Sequence, residues 1–96
     1  MLTGKQKRFL RAEAHHLKPI FQVGKIGVND NMIVQISEAL EKRELIKVSL
    51  LQNCIEDKDE VAEAIAAGTD AHVVQIIGST IVLYKASQEN KQIKLP

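Results

Sequence analysis

Residues 73–85, VVQIIGSTIVLYK, decide the fold. Two β-prone runs, Val73–Ile77 and Thr80–Lys85, flank Gly78-Ser79, a two-residue hairpin signal, so an antiparallel pair closes the folded part of the chain. Upstream, Leu45–Leu51 (LIKVSLL) alternates as a third strand. Ile46, Val48 and Leu50 share one face, while Lys47 and Ser49 share the other with Leu45 and Leu51. Between these strands, Glu56–Ala67 reads as a helix, acidic in its first turn as the macrodipole prefers, with Gly68 as its expected stop. Further back, the short run Ile20–Val23 is halted by Gly24-Lys25-Ile26-Gly27. Asn29 or Asp30 then opens a helix to about Arg43, with Ile33, Ile36 and Leu40 at helical spacing. Thr3 caps a first helix from about Lys5 to Leu17, with Pro19 just beyond its end.

The order is α-β-α-β-α-β-β: a single α/β domain with a mixed four-stranded sheet packed with three helices. Strand–helix–strand units favour parallel pairing, and the final hairpin is antiparallel. The domain is expected over residues 1–86, with SQENKQIKLP (87–96) a weakly ordered polar tail. The chain is too short for a doubly wound nucleotide-binding sheet.

Ninety-six residues, 45% apolar and 26% charged, fit one soluble globular domain and exclude a multidomain enzyme or a membrane channel. No stretch approaches the roughly 20 apolar residues that span a bilayer, and MLTGKQKR lacks an apolar run behind its charges, so neither a membrane contact nor a secretory signal is expected. Cys54 stands alone, which fits a reducing compartment; a cytoplasmic location follows as an expectation. The net charge of +1 hides a strong asymmetry. Residues 1–25 carry Lys5, Lys7, Arg8, Arg11, Lys18 and Lys25 against Glu13 alone, whereas residues 26–70 hold ten acids against four bases. Such segregation suits either a polyanion contact or a solvated surface whose charges happen to cluster.

At about 100° per residue, Lys7, Arg8 and Arg11 fall within a third of the first helix's circumference with Lys5 beside them, while Leu10, Ala14 and Leu17 face elsewhere. Gly24-Lys25-Ile26-Gly27 forms a G-x-x-G turn before a helix start. Glycine admits a ligand backbone closely, the helix N-terminus offers free N–H groups, and Lys25 adds a mobile cation; KH domains clamp a nucleic-acid backbone with such a loop. A plain tight turn is the alternative reading of these four residues. Phe9, Phe21 and Tyr84 are the only aromatics, too few and too scattered for a base-stacking sheet, so contact through phosphates and shape is expected. Phe9 and Phe21 read as core residues, and Tyr84 as a buried ring with a wet hydroxyl. His15 and His16 are adjacent and cannot form an i, i+4 metal pair, and no CxxC or HxxxH exists, so no metal or cofactor is expected. A Cys54–His72 nucleophile pair or the carboxylates Glu56, Asp57, Asp59, Glu60 and Glu63 would be the only catalytic options, and no motif supports them; no enzyme activity and no small-molecule substrate are expected.

LTGKQKRFLR (2–11), AHHLKP (14–19), VGKIG (23–27), EAL with RELIKV (38–48) and QIIGSTIVLYK (75–85) occur in the order seen in CRM domains, named for chloroplast RNA splicing and ribosome maturation. The chain resembles the single-domain bacterial, YhbY-type members over residues 2–85. The resemblance implies a fold related in shape to the C-terminal domain of translation initiation factor three. It also implies RNA binding, with bacterial members linked to precursors of the large ribosomal subunit and plant members to splicing of organellar group II introns. Carried onto this chain, it makes Gly24, Lys25, Ile26 and Gly27 the loop, Lys5, Lys7, Arg8 and Arg11 the basic helix face, and Lys18 a further contact. Ile26, Ser79 and Lys85 depart from residues frequent in the family. The expectation is therefore a non-catalytic, monomeric RNA-binding protein acting on ribosomal RNA of large-subunit precursors, the alternative being a module that docks an acidic ribosomal partner.

Overall fold

Thr3 starts the first helix: its hydroxyl accepts from Gln6 N at 3.1 Å while Gln6 Oε1 accepts from Thr3 N at 3.0 Å, a reciprocal capping box. In the computed structural model, which describes residues 2–96, helix α1 spans Gly4–Ala14. It ends three residues before the expected Leu17. Leu17 N–H turns back to the Ala14 carbonyl at 2.9 Å, Lys47 Nζ donates to the Leu17 carbonyl at 3.0 Å, and Ile20 N–H joins the sheet at the Lys47 carbonyl. Tertiary pairing here overrides apolar periodicity.

Strand β1 (Phe21–Val23) leads to α2 (Asp30–Arg43), whose N-cap Asn29 accepts from Met32 N at 2.8 Å. Glu44, at φ +64°, turns the chain directly into β2 (Leu45–Leu50). Helix α3 covers Lys58–Thr69, two residues later at each end than the sequence reading. Gly68 is not its stop but lies in its last turn. A Cβ there would meet Ile33 Cδ1 at 2.8 Å, so the missing side chain lets α2 and α3 approach; Asp70, at φ +63°, ends the helix instead. Lys85 Nζ donates to the Thr69 carbonyl at 2.9 Å, binding the α3 terminus to the sheet.

Strands β3 (His72–Ile77) and β4 (Thr80–Tyr84) form the expected hairpin, with Gly78 at φ +55° in the turn. The sheet order is β1-β2-β4-β3, with β1 parallel to β2 and the other two pairs antiparallel. The mixed four-stranded sheet with three helices is thus the architecture read from the sequence. The crossover through α3 skips one strand, leaving β4 between β2 and β3. A register shift between Val73 and Gln75, which pairs with Val82, leaves Val74 unpaired and puts Val74 and Gln75 on the same face as Val82, which explains why HVVQII does not alternate cleanly.

The sheet separates two cores. Ile36, Leu40, Val61 and Ile65 of α2 and α3 pack on Ile46, Val48, Ile81 and Leu83, with Phe21 against them. Leu10 and Ala14 of α1 pack on Leu45, Val74, Val82 and Tyr84, with Phe9 against them. Each fully buried Leu or Ile contributes about 1.5–3 kcal/mol. Residues 87–96, expected to be weakly ordered, contain no helix or strand but are fastened along the domain. Glu44, 1% exposed, accepts from Ser87 N, Gln92 N and Ile93 N at 2.8, 2.6 and 2.8 Å, and Glu41 accepts from Ser87 Oγ, Gln88 N and Glu89 N. Ile93 and Leu95 then close the α1-side core. Anchors on α2 and apolar side chains spaced along the segment order it despite its polar composition.

Candidate nucleic-acid interface

The loop after β1 leaves the sheet at a crowded end. Val23 pairs with Leu50, Ser49 with Thr80, and Thr80 with Ile77, so loop 24–29, loop 51–57 and the Gly78-Ser79 turn all emerge at one edge. Strands lie about 4.8 Å apart, which puts the β1 loop roughly 10–14 Å from the β3–β4 turn. Gly27 N–H closes the loop on the Gly24 carbonyl at 3.0 Å, and Gly27 adopts φ +70°, leaving Lys25 and Ile26 exposed at the tip. Loop 51–57 packs behind: Asn53 and Leu51 lie near Gly24, and a Cβ on Gly27 would collide with the Glu56 carboxylate. The loop's positive charge therefore rests on Lys25, with Glu56 on its inner flank and Asp30 in the first turn of α2. Ile26, Ile55 and Ile77, at 80%, 85% and 58% exposure, give this edge an apolar rim.

Helix α1 crosses the opposite face of the sheet from α2 and α3. Lys7 and Arg11 are one turn apart and about 40° apart around the axis, on one flank, whereas Lys5 lies about 120° from Arg11. Arg11 and His15 line a groove of about 180 Å³ with Lys47, Gln75, Ile77 and Thr80, at the same sheet edge as the glycine loop. The structure thus brings Arg11, with Lys7 behind it, toward the edge that carries Lys25. Arg8 is exposed farther around the helix, and Lys5 is not part of this groove. Lys18 lies beyond the helix and shares a surface hollow with Arg43. Lys47, Gln75, Thr80 and Arg43 were not singled out in the sequence; the alternation of LIKVSLL, which puts Lys47 on the α1 face, held the signal for the first of them.

Other reactive side chains are kept apart. Cys54 Sγ lies 3.7 Å from the Glu56 carbonyl at the loop edge, while His72 pairs with Tyr84 at the opposite end of the sheet, their rings stacked at 6.4 Å. A strand's length separates the two residues, so they cannot act as a nucleophile–base pair. The His15 and His16 rings meet edge-on at 5.7 Å, and among the described residues no group of three or more His, Cys, Asp or Glu gathers around a metal-sized space. The perturbed carboxylates have structural work. Burial raises the Glu44 carboxyl, but the N–H groups of Gln92, Ser87 and Ile93 and the charge of Lys91 outweigh it and hold the group below its ordinary range. The Ser87 hydroxyl, then the Gln88 and Glu89 N–H groups, hold Glu41 at about 2. Burial, then the Glu44 charge, pushes the Tyr84 phenol up.

The chain is similar to known proteins in sequence and in fold. The chain is 75% identical to the Bacillus subtilis protein named "Probable RNA-binding protein YqeI" over 96 residues, the full length of both. It is 42% identical to a Haemophilus influenzae protein named "RNA-binding protein" over 95 residues, 99% of this chain and 95% of that one. A solution structure of the Staphylococcus aureus protein SAV1595 superposes with a TM-score of 0.83 at 59% identity over the whole of both chains. Residues 2–85 match the CRS1 / YhbY (CRM) domain, and the chain belongs to that family.

Proposed function

We propose that this chain is a non-catalytic RNA-binding protein that holds structured RNA through its backbone phosphates. The observation that carries this reading is the convergence, at one sheet edge, of the Arg11–His15–Lys47 groove with the Gly24–Gly27 loop. Lys25 at the tip, the unpaired N–H groups opening α2, and Lys7 and Arg11 on the α1 flank offer phosphate oxygens several donors. Lys5 and Arg8 lie farther around α1, and Lys18 lies at the other end of β1 beside Arg43; they contribute field rather than a shared groove. The RNA-binding names of the relatives point the same way. The finer reading is ribosomal RNA in precursors of the large subunit, bound by a cytoplasmic monomer during assembly; its support is the family to which residues 2–85 belong. No helix among the described residues is long and apolar enough to cross a membrane.

Cosedimentation with ribosomal particles, at two salt concentrations and with or without ribonuclease, tests both levels. Salt-sensitive, ribonuclease-sensitive enrichment with large-subunit precursors is expected. Absence from ribosomal fractions with retained binding to purified RNA would overturn the assembly role alone. Ribonuclease-resistant association would favour docking to a protein partner.

A further inference from the structure

The outer side of β1 carries a cleft of different chemistry from the basic surface. It measures about 490 Å³ and lies between this edge strand and the first turns of α2. Its polar walls are the neutral amides of Gln22, Asn29, Asn31 and Gln35, and its apolar side is formed by Phe21 and Met32, both half-buried; no ionisable side chain lines it. Asn29 uses its Oδ1 to accept from Met32 N and retains its NH2 as a donor. Cations stand at both ends of the segment that forms the floor, Lys18 before it and Lys25 after it, and both are exposed.

We infer that this cleft receives unpaired nucleobases, adenine foremost, from an RNA strand whose phosphates lie on Lys18 and Lys25. The inference rests on the RNA-binding reading above and assigns a second, base-reading role to neutral residues outside the basic surface. No cationic side chain lines this cleft, and its side-chain donors and acceptors are all neutral carboxamides. A nucleobase edge presents donors and acceptors side by side, which a carboxamide matches; Asn and Gln pair bidentately with adenine through N6 and N7. A flat base also requires an apolar surface for its face, which Phe21 and Met32 supply. In an A-form duplex the N6 and N7 edge of adenine lies in the deep, narrow major groove that side chains cannot read, so contact through that edge selects single-stranded segments.

The test measures fluorescence anisotropy of labelled oligoadenylate, oligocytidylate and a blunt RNA duplex, all ten nucleotides per strand, at several salt concentrations between 50 and 200 mM. Wild type is compared with Asn31→Ala/Gln35→Ala and separately with Gln22→Ala. All three residues are exposed, and Asn29 is left intact because it caps α2. Wild type is expected to bind oligoadenylate at least tenfold more tightly than either other probe. The double variant should lose at least tenfold for oligoadenylate, change less than twofold for the duplex, and keep the wild-type salt slope, with Gln22→Ala shifting in the same direction. Equal wild-type affinity for the three probes, or a variant effect equal on all of them, would overturn the cleft while leaving RNA binding standing. No binding of any probe by wild type would overturn the RNA-binding reading itself, and this inference with it.

Discussion

Replacing Glu44 by Gln should detach the C-terminal segment at a calculable cost. The carboxylate is 1% exposed; Oε1 accepts from Gln92 N at 2.6 Å and Ile93 N at 2.8 Å, and Oε2 accepts from Ser87 N at 2.8 Å. The carboxamide keeps one acceptor oxygen but sets an NH2 against the Ser87 N–H, donor against donor. Losing one charge-assisted bond costs about 1.5–3 kcal/mol, and converting the other two from charged to neutral acceptors costs about 1 kcal/mol each. Part of this returns, because freeing backbone recovers about 1–2 kcal/mol of conformational entropy per residue, so the segment peels away before the whole loss is expressed. The net expectation is about 2–3 kcal/mol, a melting-temperature drop of roughly 8–24 °C for a domain of this size. Thermal unfolding followed by circular dichroism reads the first quantity, and amide exchange at Ser87, Gln92 and Ile93 reads the second. A melting temperature within 2 °C of wild type, with those amides still protected, would refute the account of Glu44 as the anchor.

Three further outcomes follow from the same structure. Glu41 titrates at about 2, so the stability it contributes is present above pH about 4.5 and is lost as pH falls toward about 2; Glu44 is also held below the ordinary carboxylate range, and its contribution is lost in the same direction as the medium is acidified. Amide exchange at Gln88 and Glu89 should accelerate relative to Val48 and Ile81 over that window. The two glycines of the loop should differ: Gly27→Ala places alanine at φ +70° and displaces Glu56, costing about 1–2 kcal/mol by thermal unfolding. Gly24→Ala meets only ordinary contacts at 3.6 Å, and should leave stability within about 0.5 kcal/mol while weakening RNA binding if the backbone there is approached closely. Gly68→Ala gains about 1 kcal/mol of helix propensity but drives its methyl into Ile33, with a net loss of about 1 kcal/mol that a double-mutant cycle with Ile33→Ala should abolish.

The sequence made the element order and the two-faced sheet legible because its signals are local: the Gly78-Ser79 turn, the alternation of LIKVSLL, and Asn29 and Thr3 at helix starts. Features set by distant partners were not legible. Gly68 reads as a stop, yet its role is decided by Ile33 on another helix. The end of α1 is set by Lys47, thirty residues on. Residues 87–96 read as a loose tail since nothing in SQENKQIKLP reveals that Glu41 and Glu44 wait to accept its N–H groups. The site shows the same division. Helical spacing grouped Lys7 and Arg11, and the glycine pair marked the loop, but only the strand register brings both to one edge and adds Lys47 and Thr80. The amide cleft was invisible, because Gln22 and Gln35 become neighbours only once α2 folds back along β1.

The most direct test of the central claim is the salt dependence of RNA affinity for wild type and for Lys7→Ala/Arg11→Ala/Lys25→Ala, measured by anisotropy on one RNA between 50 and 200 mM salt. If these cations hold phosphates, the triple variant loses affinity, keeps its melting temperature, and its log–log slope is shallower by about 2–3 units, at 0.7–0.9 per lost contact. Equal slopes for the two proteins, whatever their affinities, would contradict the proposed surface.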